Sequence, residues 1–335
     1  MFGSIVFAST ALLLLMTLSA RAEEQPVVGR AFTISTLGLE MRPIPAGTFV
    51  MGSPADEPGR STDEGPQTRV TISKPFWLGR TDVTHGEWKR VMGTDLAGQV
   101  TKALQDDTLY NLRGNQTLRD FWGMTRDADP AKRLGNTDDN LPMHYINWDE
   151  AMEFCRRLTE QARNAGTLPD GYEYTLPTEA QWEYACRAGT TEATYAGPMQ
   201  IVGKCNAPVL DAIAWYGGNS SVGYQGKGWD TTKWPEKQYP GGDAGPRDVG
   251  LKQPNAWGLY DMLGDVFQWC RDWYGPYQGG SVTDPIGATS GTIRVSRGGG
   301  WLVPAGHCRS AYRYGDGPGY RDTNLGFRLA LSSVR

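Results

Sequence analysis

Histidine is scarce in this chain of 335 residues, cysteine is odd in number, and long apolar runs are absent beyond the first 22 positions. Each shortage excludes something. His85, His144 and His307 lie far apart and none forms an H-x-x-x-H pattern, so no histidine-held iron or zinc centre is expected. Five cysteines (Cys155, Cys186, Cys205, Cys270, Cys308) cannot pair completely within one chain, and their spacing is not that of a zinc site. There is no phosphate loop, no Ser/His/Asp arrangement, no internal repeat and no charged tail. Basic charge is not in excess either. The 33 Lys and Arg stand against 37 Asp and Glu, which argues against a nucleic-acid partner.

What the chain does hold is backbone punctuation: 43 Gly and 21 Pro, with 12 Trp. So many glycines and prolines imply short elements joined by long, shaped loops. The tryptophans then supply the buried area that a loop-rich core needs. Residues 5–18 are almost wholly apolar and Ala20-Arg21-Ala22 follows as a cleavage pattern, so residues 1–22 read as a signal peptide. The run is short of the roughly 20 residues that span a bilayer, so a cleaved leader is expected rather than an anchor. Export to the periplasm, with no transmembrane segment in the mature chain, follows as an expectation. Loss of Arg21 with the leader makes the mature charge −5, one below the −4 of the whole chain.

Local patterns place the elements. Met41 to Ser53 reads as strand, turn and strand, with Gly47 at the centre of a hairpin. An acidic, proline-containing loop follows over Asp56 to Pro66, then an alternating strand from Val70 to Leu78. Thr84 precedes Glu87, Asn147 precedes Glu150, and Thr178 precedes Gln181, each by three residues, the spacing of a capping box. The second of these helices carries Trp148, Ala151, Met152, Cys155, Leu158 and Ala162 on one stripe, and the third turns Trp182, Ala185 and Cys186 inward. Residues 94–140 stand out as an insertion with Leu104, Leu109, Leu112, Leu118, Phe121 and Trp122 among its charges. It reads either as a packed surface subdomain or as a partner-binding surface. Residues 217–247, dense in Gly, Trp and Tyr, read as a long ordered loop.

The blocks Ser296 to Trp301, Arg309 to Arg313 and Asn324 to Arg328, with Pro45 to Ser53, His144 to Leu158 and Thr175 to Gly189 before them, resemble the formylglycine-generating, sulfatase-modifying-factor family in content and order. The resemblance implies an α+β fold related to the C-type-lectin scaffold, with short helices, small antiparallel sheets and much irregular chain. It implies a single domain over 41–332, with 23–40 as a lead-in. In the family's oxidases two cysteines between the glycine run and the first arginine block bind copper. Here Leu302 to His307 has none, and Cys308 stands alone before Arg309. The expectation is therefore a frame without the oxidase chemistry, not an enzyme, with no copper or iron.

Further site expectations rest on the same resemblance. The block Asn255 to Trp269 matches one that holds a structural calcium, at positions corresponding to Asp261, Gly264, Asp265, Val266 and Gln268. Carboxylate and carbonyl oxygens suit calcium, although a glycine turn capped by aspartates has the same composition. The family's EYxCR cysteine bonds to the C-terminal arginine block, which implies a Cys186–Cys308 bridge. Cys308 alone reads as a buried thiol or half of a disulfide. Trp301, Arg309 and Tyr312 occupy the surface that holds substrate peptide in the oxidases, and Trp and Arg favour binding hot spots. Arg313 and Arg328 read instead as scaffold paired with buried carboxylates. In architecture and length the chain resembles the periplasmic TagR type, which implies a positive regulator of type VI secretion upstream of a membrane threonine kinase. The kinase's periplasmic portion is the implied protein partner. A periplasmic metal-dependent oxidase or maturation factor is the competing reading.

Overall fold

The computed structural model describes residues 25–111 and 114–334. The leader expected at 1–22 lies outside the described residues, as does Leu112 of the insertion. Three small curled sheets and four helices of eight residues or more organise the described residues into a loop-rich α+β molecule. A five-stranded sheet runs in the order Phe32–Ile34, Leu39–Ile44, Phe76–Gly79, Ala330–Ser333 and Tyr172–Thr175, with every pair antiparallel. It ties strands from early and late in the described residues, Leu39–Ile44 and Ala330–Ser333, to the same central strand, Phe76–Gly79. Phe32–Ile34 is its edge, so the lead-in is part of the sheet. The second sheet has the order Arg313–Asp316, Arg294–Arg297, Phe267–Trp273 and Leu325–Phe327, the last pair parallel. The third places Thr68–Ile72 between Ser281–Thr283 and Gly47–Met51.

All three capping boxes form: Thr84 with Glu87, Asn147 with Glu150, and Thr178 with Gln181. Each satisfies N–H groups left over in a first helical turn. The helices they start are His85–Met92, Trp148–Ala165 and Glu179–Arg187. Ala151, Cys155, Leu158 and Ala162 are buried on the long helix, with Trp148 and Met152 at the margin. Trp182, Ala185 and Cys186 are wholly buried.

Two local readings change. Leu39–Ile44 and Gly47–Met51 are not a hairpin; they belong to different sheets. The first strand already has Phe32–Ile34 on one side and Phe76–Gly79 on the other, so the chain turns at Pro45-Ala46 and starts another sheet with Thr68–Ile72. At Gly47 the backbone passes so close to Tyr184 that a Cβ would stand 2.2 Å from its hydroxyl. The insertion is built into the core. Its helix Leu96–Gln105 buries Leu96, Val100, Ala103 and Leu104, and Leu118 is buried as well, whereas Leu109 and Phe121 are exposed. Arg321 binds Gln99 of that helix and Glu150 of the long helix at once, pinning the insertion to the body. Among the described residues no helix is long and apolar enough to cross a membrane.

Candidate functional site

Arginines from the C-terminal blocks converge on four carboxylates from two other segments, the acidic loop and the helix Glu179–Arg187. Arg313 grips both oxygens of Glu179, at 2.6 and 2.8 Å. Arg297 pairs with Glu183 and also donates to the carbonyls of Ser310, Ala311 and Tyr312. Glu183 in turn accepts from Arg187 and from the Gly52 amide. Arg309 donates to Glu57 at 2.6 Å and to both oxygens of Glu64 at 2.8 and 2.5 Å. Arg297, Arg309 and Glu183 have no exposed surface. Removing charges from water is costly, and these networks hold because nearly every lone pair and N–H in them finds a partner.

That lattice corrects the expected binding surface. Arg309 is scaffold, spent on Glu57 and Glu64. Tyr312 is buried and stacks on His307 with ring centroids 4.3 Å apart. Trp301 is 1% exposed, donates its indole N–H to the Thr323 carbonyl, and is covered by Trp229 and Trp234 of the long loop. None of the three is offered to a partner. Arg313 and Arg328 are scaffold, as their blocks suggested.

The expected Cys186–Cys308 bridge is absent, and all five cysteines are free thiols. Cys308 follows a short 3-10 turn, Ala305–His307, and the chain from 308 to 312 is turn rather than strand, so alternation does not bring its side chain to Cys186. Cys186 meets Ser310 instead, its Sγ donating to Oγ at 3.6 Å. Burial pushes both the Cys186 and Cys308 thiols up to about 12, which keeps them protonated and unreactive at neutral pH.

The Asn255 to Trp269 block forms a buried turn in which Asp261 and Asp265 both take left-handed backbone angles. Asp261 accepts the Gly250 amide with one oxygen, and Asp265 accepts the Arg247 amide with one. The other oxygen of each is buried without a partner. Asp82, just before the Thr84 cap, has two more such oxygens, with Arg328 at 3.6 Å as its counter-charge. Burial, reinforced by Asp261, lifts the Asp82 carboxyl to about 8, and burial together with Asp261 raises Asp265 well above the carboxylate range. The orphaned oxygens of Asp261 and Asp265 are chemically apt for a hard cation, and Gly264 and Val266 share their turn. Gln268 is not. Its Oε1 accepts from Trp182 and Arg328, and its Nε2 donates to the Asp261 carbonyl, so it has no oxygen left to give. Among the described residues no three Asp, Glu, His or Cys side chains gather tightly enough to form a metal cluster by themselves. Asp82 had no signal in the sequence.

Two histidines meet. His85 opens a helix, its amide binds the Leu141 carbonyl, and a bridge between Thr84 and Pro142 carries His144 alongside. His85 Nε2 lies 3.4 Å from His144 Nδ1, which also faces the Pro142 carbonyl at 3.0 Å. Burial lowers His85 to about 4, and burial with His85 beside it lowers His144 to about 3. Both therefore stay neutral while the unfolded chain, near 6.5, protonates. Stability is full above that value and falls as pH drops below it, by about 1.4 kcal/mol per pH unit for each proton refused. The buried carboxylates with raised values work in the opposite direction. The measurement is therefore the difference in urea midpoint between pH 7 and pH 5, compared for the parent and a His144→Phe variant. The variant is expected to lose less stability on acidification; an equal loss refutes the pair's role.

A cavity of about 140 Å³ opens beside the stretch where the resembled oxidases carry their cysteines. Leu302, Val303 and His307 form one wall, and Phe267, Tyr314, Tyr320, Asp316 and Asp322 the others. His307 is neutral, lowered to about 4 by burial and by Arg309 and Lys204.

Small curled sheets, long ordered loops and a buried arginine–glutamate lattice define a formylglycine-generating-enzyme scaffold. The chain belongs to the sulfatase-modifying factor enzyme 1-like domain family, whose model matches residues 35–333. It is similar to the formylglycine-generating enzyme of Streptomyces coelicolor, 29% identical over 312 residues, covering 86% of this chain and 87% of that one. A solved structure, Treponema denticola variable protein 1, superposes with a TM-score of 0.59 at 25% identity, covering 90% of this chain and 98% of that one. A segment of the serine/threonine-protein kinase pkn1 of Chlamydia pneumoniae is 33% identical over 159 residues, covering 46% of this chain and 20% of the kinase.

Proposed function

We propose that the protein is an exported, non-catalytic member of this family, a binding and regulatory protein of the TagR type. On this reading it is a positive regulator of type VI secretion in the periplasm, acting upstream of a membrane serine/threonine kinase whose periplasmic portion is its partner. The observation that carries the non-catalytic reading is the single cysteine of the Leu302 to Cys308 stretch, buried and protonated where copper would require paired thiolates. The kinase partner is supported by the pkn1 match, in which a segment similar to this chain belongs to a protein named a kinase.

The test has two arms. Purified protein given one equivalent of Cu(I) and a cysteine-containing peptide is expected to retain no stoichiometric copper and to consume no oxygen. Copper held one per chain, with oxygen uptake, would establish the oxidase alternative. In the second arm the protein is recovered from the periplasmic and membrane fractions of its host. The kinase or secretion components are expected to co-purify; repeated recovery without them removes the regulatory reading.

A structural calcium belongs to the same proposal. Asp261 and Asp265 would hold it through their orphaned oxygens, with carbonyls of Gly264 and Val266 from the same turn and Asp82 close by in the same interior. Bound there, the ion supplies neutralisation of buried negative charge. At a hundredfold excess over its dissociation constant calcium stabilises by about 2.7 kcal/mol. The thermal midpoint is expected to rise on adding calcium, to fall back with a chelator, and to ignore calcium in an Asp265→Asn variant. A parent midpoint indifferent to calcium refutes the site.

A further inference from the structure

The cavity beside Leu302 and His307 has a composition that the loss of oxidase chemistry does not explain. Two carboxylates, Asp316 and Asp322, face into it together with the rings of Phe267, Tyr314 and Tyr320. Tyr314 lies at the mouth, 44% exposed, with its ring 5.3 Å from that of Phe267. Asp322 is partly provided for: it accepts the Thr323 amide at 2.6 Å and the Tyr320 hydroxyl at 3.3 Å. Asp316 is not. Among the described residues no hydrogen bond or ion pair reaches its carboxylate. Arg133, over the Trp122 ring, offsets part of the charge on Asp322, and His307 is neutral. The cavity therefore holds two carboxyl groups between aromatic faces, and Asp316 has no counter-ion among the described residues.

We infer that this cavity receives a cationic side chain of a partner polypeptide, its charge against Asp316 and Asp322 and its stem against Tyr314, Tyr320 and Phe267. The inference rests on the binding-protein reading above and names the chemistry that the partner must present. Charge complementarity selects the occupant, because an anion meets two carboxylates and a neutral apolar group leaves Asp316 buried deeper with no partner. Aromatic faces attract a cation and tolerate its alkyl stem. At about 140 Å³ the space has room for the end of one arginine or lysine side chain. Burial and the neighbouring Asp322 raise the Asp316 carboxyl to about 7, and a cation set against it favours the ionised form.

The test titrates the full mature protein with the blocked pentapeptide Gly-Gly-Arg-Gly-Gly at low ionic strength, following tyrosine ring resonances by NMR. The citrulline counterpart, of the same shape without the charge, is the control. Arginine peptide is expected to shift the Tyr314 and Tyr320 signals saturably, and more weakly as salt is added. Asp316→Asn is expected to weaken binding by about fivefold or more, in the range of a partly shielded ion pair. An exposed Asp243→Asn is expected to change nothing. Asp316 makes no internal bond, so its variant should keep the parent midpoint, and Asp322→Asn serves as the second probe. Equal binding of the citrulline peptide, or full binding by both variants, overturns the inference. Partner capture by Asp316→Asn at the parent level, with peptide binding gone, overturns the cavity's role while leaving the regulatory reading intact. Failure of the parent to capture any kinase or secretion component removes that reading without touching the peptide result.

Discussion

Replacing Arg297 with methionine is expected to lower the thermal midpoint by on the order of 10 °C, or to remove soluble protein altogether. Arg297 is the hub on which the helix Glu179–Arg187 meets the C-terminal blocks. It pairs with Glu183, lies 3.5 Å from Glu179, and satisfies three carbonyls between Ser310 and Tyr312. Methionine fills similar volume but takes the donor away from one buried Glu183 oxygen and from three buried carbonyls. Breaking one partner of a buried pair costs about 3–5 kcal/mol. In a chain of this size each kcal/mol is worth about 2–4 °C. Arg297→Lys keeps the charge without the planar fork and should lose less than methionine, yet clearly more than a surface substitution. A methionine variant melting with the parent would show that the lattice carries no stability.

Gly264→Ala is expected to be at least as damaging, through backbone rather than charge. Gly264 has φ of +81°, and a Cβ built there stands 2.4 Å from the Trp215 carbonyl oxygen and 2.8 Å from its amide nitrogen. Neither atom can swing away as a side-chain end would, because the Trp215 carbonyl accepts from Asp265 and the Gly264 amide donates to Gly298. Alanine thus displaces the turn that carries Asp261 and Asp265. Gly93 is the control: its φ of +72° ends a helix, and nothing lies within 4 Å of its missing Cβ. Gly93→Ala carries left-handed strain alone, about 1–2 kcal/mol. The excess loss in Gly264→Ala over Gly93→Ala measures the clash. Equal midpoints for the two variants would remove the argument.

Where signals were local, the sequence was a sound guide. Thr84, Asn147 and Thr178 start helices because a cap and its partner three residues on need nothing but each other. The stripe through Ala151, Cys155 and Leu158 is inward because helical periodicity dictates one apolar face. The hairpin reading at Gly47 failed for the complementary reason. Alternation marks a strand but not its neighbour, and the pairing edge of Leu39–Ile44 was taken by Phe76–Gly79, a segment much further along. Arg309 and Trp301 were misplaced as binding residues because residue type says what a side chain can contact, not whether water reaches it. Glu57, Glu64, Trp229 and Trp234, each distant in sequence, decide that. The pairing of Cys186 with Ser310 rather than Cys308 depended on turn geometry after Ala305–His307.

The scarcities that open the sequence determined much by themselves. The ordered glycine and arginine blocks set the family frame, while three histidines without spacing and one cysteine where a pair is needed set the chemistry not expected of it. The tertiary structure alone decided that His85 and His144 touch, that Asp82 joins Asp261 and Asp265 in one buried interior, and that Asp316 faces a cavity without a counter-ion. The physical reason is that composition and periodicity act over a few residues, whereas burial and charge pairing are properties of neighbours that only folding brings together.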